Sequence, residues 1–191
     1  AVCEAYSRCM QLLLNRSGIP NYLATGTGID INGDSEGHMW NVVTIDGKNY
    51  YLDVTWDDLD SAEIGQYCHT FFNVSETDIA ENHLGILPQG NNCVSDDANY
   101  FVVNGLLFDT YDSAAKTAIA NEIQDVFNDG SNTFEIRFTN DDAYLKALNA
   151  LTQDGDIYAL VERAGSRAAR TYDEALYVQD DGMRTIQFAL Q

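Results

Sequence analysis

Apolar side chains recur every three or four residues at the start of the chain, at Val2, Tyr6, Cys9, Met10, Leu13 and Leu14. This period predicts a helix over residues 2–15 that buries one face. Gly18 can adopt a left-handed conformation after the last turn, and Pro20 cannot continue a helix. We therefore expect the helix to end near residue 16 and a short strand to follow over residues 21–25.

A second pattern surrounds Asp46-Gly47, which is flanked on both sides by apolar segments. Asp-Gly favours a two-residue type I′ turn, and such a turn pairs Ile45 with Lys48. The segments on either side of the turn then form an antiparallel hairpin, and the turn fixes which residues lie opposite each other.

That register brings a histidine and an aspartate to the same face of the hairpin. Counting back from the turn puts Trp40 opposite Asp53 and His38 opposite Thr55. One face therefore carries His38, Trp40, Tyr51, Asp53 and Thr55. His38 and Asp53 become diagonal neighbours with backbones about 7–8 Å apart, a gap that an imidazole and a carboxylate can bridge.

The segments around the hairpin predict loops and one short helix. A Gly-rich, acidic loop is expected over residues 26–37, and another acidic loop is expected after Trp56. Ser75 and Asp78 have the form of a capping box, which indicates a short helix over residues 75–82. Residues 85–99 are rich in Gly, Asn and Asp, and we interpret them as a linker between two domains, 1–90 and 98–191.

Strands and helices alternate in the second domain. The predicted elements are a strand or tight hairpin over 100–108, helices over 113–127, 141–151 and 156–169, a strand over 133–138, and a hairpin of 174–178 with 185–190. This order predicts an α+β fold, with the ferredoxin-like sandwich as one candidate. We find no catalytic motif in it.

Thirty acidic residues against ten basic ones give a formal net charge of −20. Because phosphate binding depends on Lys and Arg, nucleic acid is not an expected partner, and an anionic membrane surface is equally disfavoured. No apolar run approaches the roughly 20 residues that span a membrane, so membrane insertion is not expected. The simplest role of the charge is solubility. An acidic calcium site is the alternative for Asp57, Asp58, Asp60 and Glu63, although their spacing fits no known calcium loop.

The four cysteines, Cys3, Cys9, Cys68 and Cys93, contain no C-x-x-C pair. A structural zinc site is therefore not expected, and neither is a cofactor. Four cysteines neither demand nor exclude a disulfide, and Cys68 with Cys93 is the one pairing considered. Cys9 lies on the predicted apolar stripe, so we interpret it as a core residue. Cys3 begins the helix, where unpaired backbone amides favour a thiolate.

Cys3, His38 and Asp53 are the residue types of thiol catalysis. A cysteine attacks as its thiolate, and a neighbouring imidazole accepts the thiol proton and later returns it to the leaving group. An aspartate fixes the tautomer and orientation of that imidazole. The plainer interpretations are a buried structural cysteine, a surface or core histidine, and an aspartate that accepts hydrogen bonds from residues 55–56. His83 is interpreted as a cap of the helix before it.

Three segments resemble the signature blocks of the transglutaminase-like superfamily, namely residues 2–6 (VCEAY), 37–42 (GHMWNV) and 51–56 (YLDVTW). Residues 71–75 (FFNVS) resemble a segment that follows in bacterial members. The resemblance covers roughly the first half of the chain and implies a papain-like core. It implies Cys3 as nucleophile, His38 as general base and acid, and Asp53 as the residue that orients His38. Trp40 is then a wall of the active site and, with Tyr51, a candidate substrate-binding residue.

The resemblance also implies an activity and a location. The expected activity is acyl transfer on protein or peptide amides through a cysteine thioester, by a cysteine protease, an amidase or a transglutaminase-like enzyme. The alternative is a non-catalytic cell-surface binding module that retains the fold. Bacterial members are often surface-exposed, so a secreted or cell-surface location is expected. The helices that precede the cysteine in the family are missing here, so we expect a longer precursor. The sequence leaves the oligomeric state open.

Overall fold

A computed structural model describes residues 2–30, 32–58, 64, 67–85, 92–168 and 172–191, with the side chains of 166–168 left out. The chain is α+β, as predicted, and divides into two compact units. The first unit is Ala1–Asp58 with His69–Val103, and the second is Leu59–Cys68 with Asn104–Gln191. The first unit keeps residues 98–103, which sequence analysis assigned to the second domain. Phe101 is buried there, and the Asn99 amide donates to the Phe72 carbonyl.

The first unit is a helix packed on an antiparallel sheet of five strands. Its elements are α1 (Val2–Arg16), β1 (Asn21–Ile29), β2 (Ser35–Ile45), β3 (Lys48–Leu52), β4 (Phe72–Val74), α2 (Glu76–Ile79), β5 (His83–Gly85) and α3 (Tyr100–Val103). The strand order is β4-β3-β2-β1-β5. The predicted capping box at the start of α2 is present, since Ser75 and Asp78 cap each other reciprocally.

Helix α1 forms where predicted, but only part of the predicted stripe is buried. Met10 and Leu14 pack against an apolar cluster of the sheet, and Ser7 is fully buried. Cys9 is exposed, so its predicted place in the core is wrong. The apolar period misled because the buried face includes a serine, whose hydroxyl is satisfied by a hydrogen bond to the sheet.

The hairpin of β2 and β3 has the predicted turn and register. Asp46 and Gly47 both have positive φ, 50° and 78°, which defines the type I′ turn. Ile45 pairs with Lys48, and the same register continues to the end of β3. The dipeptide therefore determined the alignment of the whole hairpin.

The second strand of this hairpin is shorter than predicted. It ends at Leu52, so Asp53 is the first residue to leave the sheet, and Thr55 is not paired with His38. The Asp53 N–H instead donates to the Phe71 carbonyl at 3.2 Å. Asp53 nevertheless stays on the face that the register assigned to it, as its contact with His38 shows.

The predicted loop over residues 26–37 is mostly strand. β1 continues to Ile29 and β2 begins at Ser35. Gly26 and Gly28, both in β1, serve close packing rather than a turn: a Cβ at Gly26 would lie 2.3 Å from the Leu84 carbonyl, and one at Gly28 would lie 2.8 Å from the Trp56 ring. The glycine content was therefore misread as a loop signal.

The second unit packs helices on a four-stranded mixed sheet. Its elements are β6 (Leu107–Phe108), α4 (Ser113–Asp129), β7 (Thr133–Phe138), α5 (Asp141–Thr152), α6 (Asp156–Ala168), β8 (Ala175–Asp180) and β9 (Thr185–Leu190). The strand order is β6-β7-β9-β8, with β6 parallel to β7. The chain order β-α-β-α-α-β-β differs from the β-α-β-β-α-β order of a ferredoxin-like fold, so that candidate is wrong.

The predicted strand or hairpin over residues 100–108 is wrong except at its end, where residues 107–108 form β6. Its first part is the short helix α3, and Gly105, with a φ of 69°, turns the chain into β6. In the predicted linker, residues 86–91 lie outside the described residues, while residues 92–99 contain neither helix nor strand. Within the described part of the chain, no helix combines the length and the apolar character that a membrane crossing needs.

Candidate functional site

Two histidines converge on one aspartate in the first unit. Strand β2 carries His38, the segment after β3 carries Asp53, and the short strand β5 carries His83. His38 Nε2 lies 2.5 Å from Asp53 Oδ2, and His83 Nε2 lies 2.9 Å from the same oxygen. All three side chains are at most 1% exposed. The structure thus brings His38 and Asp53 together, as the hairpin register predicted.

Asp53 is held at both carboxylate oxygens. Its Oδ1 accepts the Thr55 backbone N–H at 2.9 Å, while Oδ2 faces the two imidazoles. Burial alone would raise the pKa of this carboxyl, but the hydrogen bonds from His38 and His83 outweigh burial and lower the pKa to about 2. Asp53 is therefore an anion at neutral pH, and it both orients an imidazole and binds the Thr55 backbone, two roles that sequence analysis treated as alternatives.

His83 is the site residue that sequence analysis missed. It does not cap helix α2 but lies in β5, paired with Gly28 of β1. A strand of three residues is too short to show a hydrophobic period, so the sequence held no usable signal for it. Burial lowers the pKa of His83, and the hydrogen bond with Asp53 only partly opposes that effect. His83 is therefore neutral at pH 7.

Aromatic rings enclose the two imidazoles. The Trp56 ring lies 4.9 Å from the His38 ring and 4.4 Å from the His83 ring, measured between centroids. Trp40 meets His83 edge-on at 4.9 Å, and Phe71 lies 5.3 Å from it. These apolar walls keep water away from the carboxylate, and a low local dielectric strengthens its interaction with an imidazole.

Two ring nitrogens of this site are buried without a hydrogen-bond partner in the described part of the chain. They are Nδ1 of His38 and Nε1 of Trp40. A buried polar group without a partner costs about 1–3 kcal/mol, and such groups concentrate where a protein binds or reacts with something. His38 is thus fixed through Nε2 and open at Nδ1.

The predicted substrate-binding residues, Trp40 and Tyr51, are both buried and line one cavity. This cavity has a volume of about 260 Å³, and Glu76 and His83 also line it. It is smaller than the roughly 300–1,000 Å³ of sites for drug-sized ligands. Burial raises the pKa of the Tyr51 phenol, and its hydroxyl is hydrogen-bonded to the thiol of Cys93. Tyr51 can therefore form part of the cavity wall as a neutral phenol, but it does not supply a phenolate.

Cys3 lies in the first turn of α1 and is half-buried. Ser7, one helical turn later on the same face, donates its hydroxyl to the Met39 carbonyl at 2.8 Å, and the Asn41 amide donates to the Ser7 carbonyl at 3.0 Å. These bonds attach α1 at Ser7 to β2 at Met39 and Asn41. Cys3 forms no hydrogen bond with His38, whose Nδ1 has no partner among the described residues.

The remaining cysteines do not compete with Cys3. All four cysteines are free, so the disulfide considered between Cys68 and Cys93 is not formed. Burial raises the pKa of Cys93 to about 11, which keeps it a thiol. Cys9 is exposed and lies outside the aromatic enclosure.

The acidic loop after Trp56 is described only in part. Asp57 accepts the Phe71 backbone N–H at 2.8 Å, and Asp58 accepts the Tyr6 hydroxyl. Both carboxylates therefore serve hydrogen bonds within the first unit. Asp60 and Glu63, the other members of the considered calcium site, lie outside the described residues.

His38, Asp53 and His83 are also a possible ligand set for a metal ion, since their ligand atoms lie within 4.8 Å of one another. Ligand atoms around a tetrahedral zinc ion are roughly 3.3 Å apart, given metal–ligand bonds near 2.0 Å. The two nitrogen–oxygen distances here are 2.5 and 2.9 Å, and both nitrogens point at one oxygen. Those are hydrogen-bond distances, so two N–H groups that share a carboxylate fit the geometry better than a metal does.

The sequence matches no protein-family model and no curated protein sequence. These two comparisons therefore do not test the predicted resemblance to the transglutaminase-like superfamily.

Proposed function

We propose that the first unit is a thiol-dependent acyl-transfer enzyme with a transglutaminase-like, papain-like core. Cys3 is its nucleophile, His38 its general base and acid, and Asp53 the residue that orients His38. One observation carries the proposal: His38 is fixed by an ionised, buried Asp53 at Nε2 while its Nδ1 is buried without a partner. That is the state of an imidazole that exchanges a proton at Nδ1.

The first step forms the thioester. A neutral His38 that donates Nε2–H to Asp53 has a lone pair on Nδ1, which takes the proton of the Cys3 thiol. The sulfur attacks the carbonyl carbon of an amide, and a carbon–sulfur bond forms. The carbon–nitrogen bond then breaks, and the nitrogen leaves as an amine or ammonia with the proton from Nδ1. The negative charge of Asp53 stabilises the imidazolium between these events.

The second step resolves the thioester. Water or an amine attacks the acyl carbon, His38 accepts the proton of that nucleophile, and the carbon–sulfur bond breaks to return the Cys3 thiol. Attack by water makes the enzyme a protease or amidase, and attack by an amine makes it a transglutaminase. We favour hydrolysis, because no residue that the structure describes at the site is a dedicated binding group for an amine.

The cavity beside the site is our candidate for the substrate pocket. Its volume of about 260 Å³ suits one side chain rather than a large ligand. Trp40 forms part of the wall, and its Nε1–H is buried without a hydrogen-bond partner in the described part of the chain. We therefore propose a protein or peptide substrate that inserts a single side chain, such as glutamine, on the Trp40 side of His38.

A non-catalytic binding module at a cell surface is the second candidate. The observation in its favour is that Cys3 and His38 form no hydrogen bond. Such a module would keep the aromatic enclosure and the packed helix but need no reactive thiol. A secreted or cell-surface location suits both candidates.

The reactivity of Cys3 separates the two candidates. Iodoacetamide labelling is measured at several pH values in the wild type and in His38→Ala, and Cys9, exposed on the same helix, is the internal control. Arg8 lies between the two cysteines, so trypsin separates them for mass spectrometry. We expect Cys3 to be alkylated well below pH 8 and to lose this reactivity in His38→Ala. A Cys3 that follows Cys9 at every pH, and ignores His38, contradicts catalysis.

The fate of the thioester separates hydrolase from transferase. The protein is incubated with glutamine-containing peptides, with and without a primary amine, and the acyl-enzyme is sought by mass spectrometry on the peptide that contains Cys3. An amine conjugate of the peptide identifies a transferase, and a hydrolysed peptide identifies a hydrolase. Cys3→Ser is the control for both products.

A further inference from the structure

We propose that His83 is a positioning residue of this site: as a neutral N–H donor it fixes the Asp53 carboxylate toward His38 without neutralising it. The proposal rests on the function proposed above. It assigns a second imidazole to the groups that orient His38. Transfer of the Cys3 thiol proton then depends on His38, Asp53 and His83.

Geometry gives His83 control over the orientation of the carboxylate. Asp53 Oδ2 takes hydrogen bonds from both imidazoles, and Oδ1 takes the Thr55 N–H. With donors on both oxygens, the carboxylate cannot rotate without breaking a buried hydrogen bond. Without His83, Oδ2 would keep only its bond to His38, the residue it has to orient. Oδ1 would still be held by the Thr55 N–H, but no donor independent of His38 would then fix Oδ2.

The charge of His83 matters as much as its position. A cation beside Asp53 would cancel the negative charge that stabilises His38 when it takes the thiol proton. Burial lowers the pKa of His83 and therefore keeps it neutral, so it supplies a hydrogen bond and no charge. Asp53 keeps its full charge for His38.

The hydrogen bond between Asn82 and His83 must also be compatible with a neutral His83 ring. Asn82 Oδ1 lies 2.8 Å from His83 Nδ1, which by itself suits a protonated Nδ1. A ring that donates Nε2–H to Asp53 and is neutral has a lone pair on Nδ1 instead. A half-turn of the Asn82 amide places its NH₂ group at the same distance, since amide nitrogen and oxygen have nearly the same shape. Burial decides between the two states, because an imidazolium in this apolar enclosure is costly.

The fold fixes His83 from several sides. The Asn82 carbonyl accepts the Ile29 N–H at 2.8 Å, which anchors the start of β5 to β1. The Trp56 and Trp40 rings then pack against the imidazole at 4.4 and 4.9 Å. Such a ring has little freedom to move, as a positioning group requires.

Two competing explanations must be separated from this one. His83 could be a core histidine whose hydrogen bond to Asp53 merely satisfies a buried group, or it could share a metal ion with His38 and Asp53. The first predicts that any loss in His83 variants follows stability. The second predicts a bound metal that His83 variants lose.

The test compares His83→Gln, which keeps a neutral N–H donor, with His83→Phe, which keeps a ring but has none. Two readouts are used: the pH profile of Cys3 alkylation, with Cys9 as internal control, and the low-field proton resonance of the His38–Asp53 hydrogen bond. In His83→Phe we expect alkylation of Cys3 below pH 8 to slow by about tenfold or more and the proton resonance to broaden by exchange. His83→Gln should restore both toward the wild type. Circular dichroism checks that both variants fold.

Each of the other outcomes contradicts a specific part of the proposal. Wild-type resonance in His83→Phe means that His83 does not position Asp53. Equal losses in both variants that follow the free energy of unfolding make His83 a core residue only. Stoichiometric metal in the purified wild type that disappears in both variants replaces the hydrogen-bond assignment with a metal site. An ordinary Cys3 in the wild type refutes the acyl-transfer function alone, because the resonance still tests His83.

Discussion

Asp53 determines the electrostatics of the site, because its carboxylate is the anion that lies between two buried imidazoles. The Asp53 carboxylate accepts three hydrogen bonds. In Asp53→Asn an amide of the same shape takes its place, and the NH₂ group of that amide must face at least one buried donor. We expect the free energy of unfolding of the first unit to fall by about 2–3 kcal/mol. We also expect alkylation of Cys3 below pH 8 to slow by about 100-fold. Denaturant titration and alkylation kinetics measure the two effects.

Asp57 offers a matched control for that substitution. It is a nearby carboxylate, 6% exposed, that accepts the Phe71 backbone N–H. Asp57→Asn should lower stability but leave the pH profile of Cys3 unchanged. If both variants shift the profile equally, the effect belongs to the packing of this loop and Asp53 has no special role.

At the level of elements, the attachment of α1 to β2 determines where Cys3 lies. Ser7→Ala removes the hydrogen bond to the Met39 carbonyl, and we expect a stability loss of about 1 kcal/mol. Because that bond attaches the helix that carries Cys3 to the strand that carries His38, the pH profile of Cys3 alkylation should also move toward that of Cys9. Ser17→Ala, at an exposed position just after the end of the same helix, should change neither. Unchanged Cys3 reactivity in Ser7→Ala would show that the helix is held without this bond.

The sheet beneath the site tolerates no side chain at Gly28. A Cβ there would lie 2.8 Å from the Trp56 ring and 3.2 Å from the His38 side chain. We expect Gly28→Ala to destabilise the first unit by about 1–3 kcal/mol, measured by denaturant titration. Gly37→Ala is the control, because a Cβ at Gly37 meets nothing within 4 Å. A Gly28→Ala variant as stable as Gly37→Ala would mean that the rings move aside freely.

These elements also show which parts of the structure the sequence could predict. The Asp46-Gly47 turn carried enough information to align two strands and so to bring His38 to Asp53. The glycines of β1 carried misleading information, because a glycine needed for close packing looks like a glycine needed for a turn. The place of His83 depends on a three-residue strand whose partner lies over fifty residues earlier, and no local pattern encodes such a pairing.

For the whole chain, the formal net charge of −20 and the buried carboxyls of the second unit favour folding as the pH falls, whereas the buried groups of the first unit oppose it. Acidification weakens the repulsion among surface carboxylates and so stabilises both units. In the second unit, burial raises the pKa of Glu122 and of Asp180, so the folded state takes up protons there first and gains stability as the pH falls. In the first unit, the lowered pKa values of His83 and Asp53 act the other way.

The signs for the first unit follow from which state binds a proton first. His83 has its pKa lowered in the folded state, so the unfolded chain takes up that proton first as the pH falls below about 6.5, and stability is lost. Asp53 has a folded pKa of about 2, so its contribution is complete above about pH 4 and disappears between pH 4 and 2. A shift of roughly two units corresponds to about 2–3 kcal/mol.

Both tryptophans, Trp40 and Trp56, belong to the first unit, so their fluorescence reports its unfolding alone. We expect the urea midpoints measured by this fluorescence to fall from pH 7 to pH 5. Over the same range, the amides of β7 and β9 in the second unit should show equal or greater protection from hydrogen exchange, corrected for its intrinsic rate. In His83→Gln the decline between pH 7 and pH 5 should disappear, because glutamine does not titrate, and the repulsion among surface charges is common to both proteins. The decline below pH 4 should remain, since it belongs to Asp53. If the urea midpoints of the wild type and of His83→Gln instead follow parallel curves against pH, His83 titrates alike in the folded and the unfolded chain. It is then not the buried neutral donor on which the orientation of Asp53 depends.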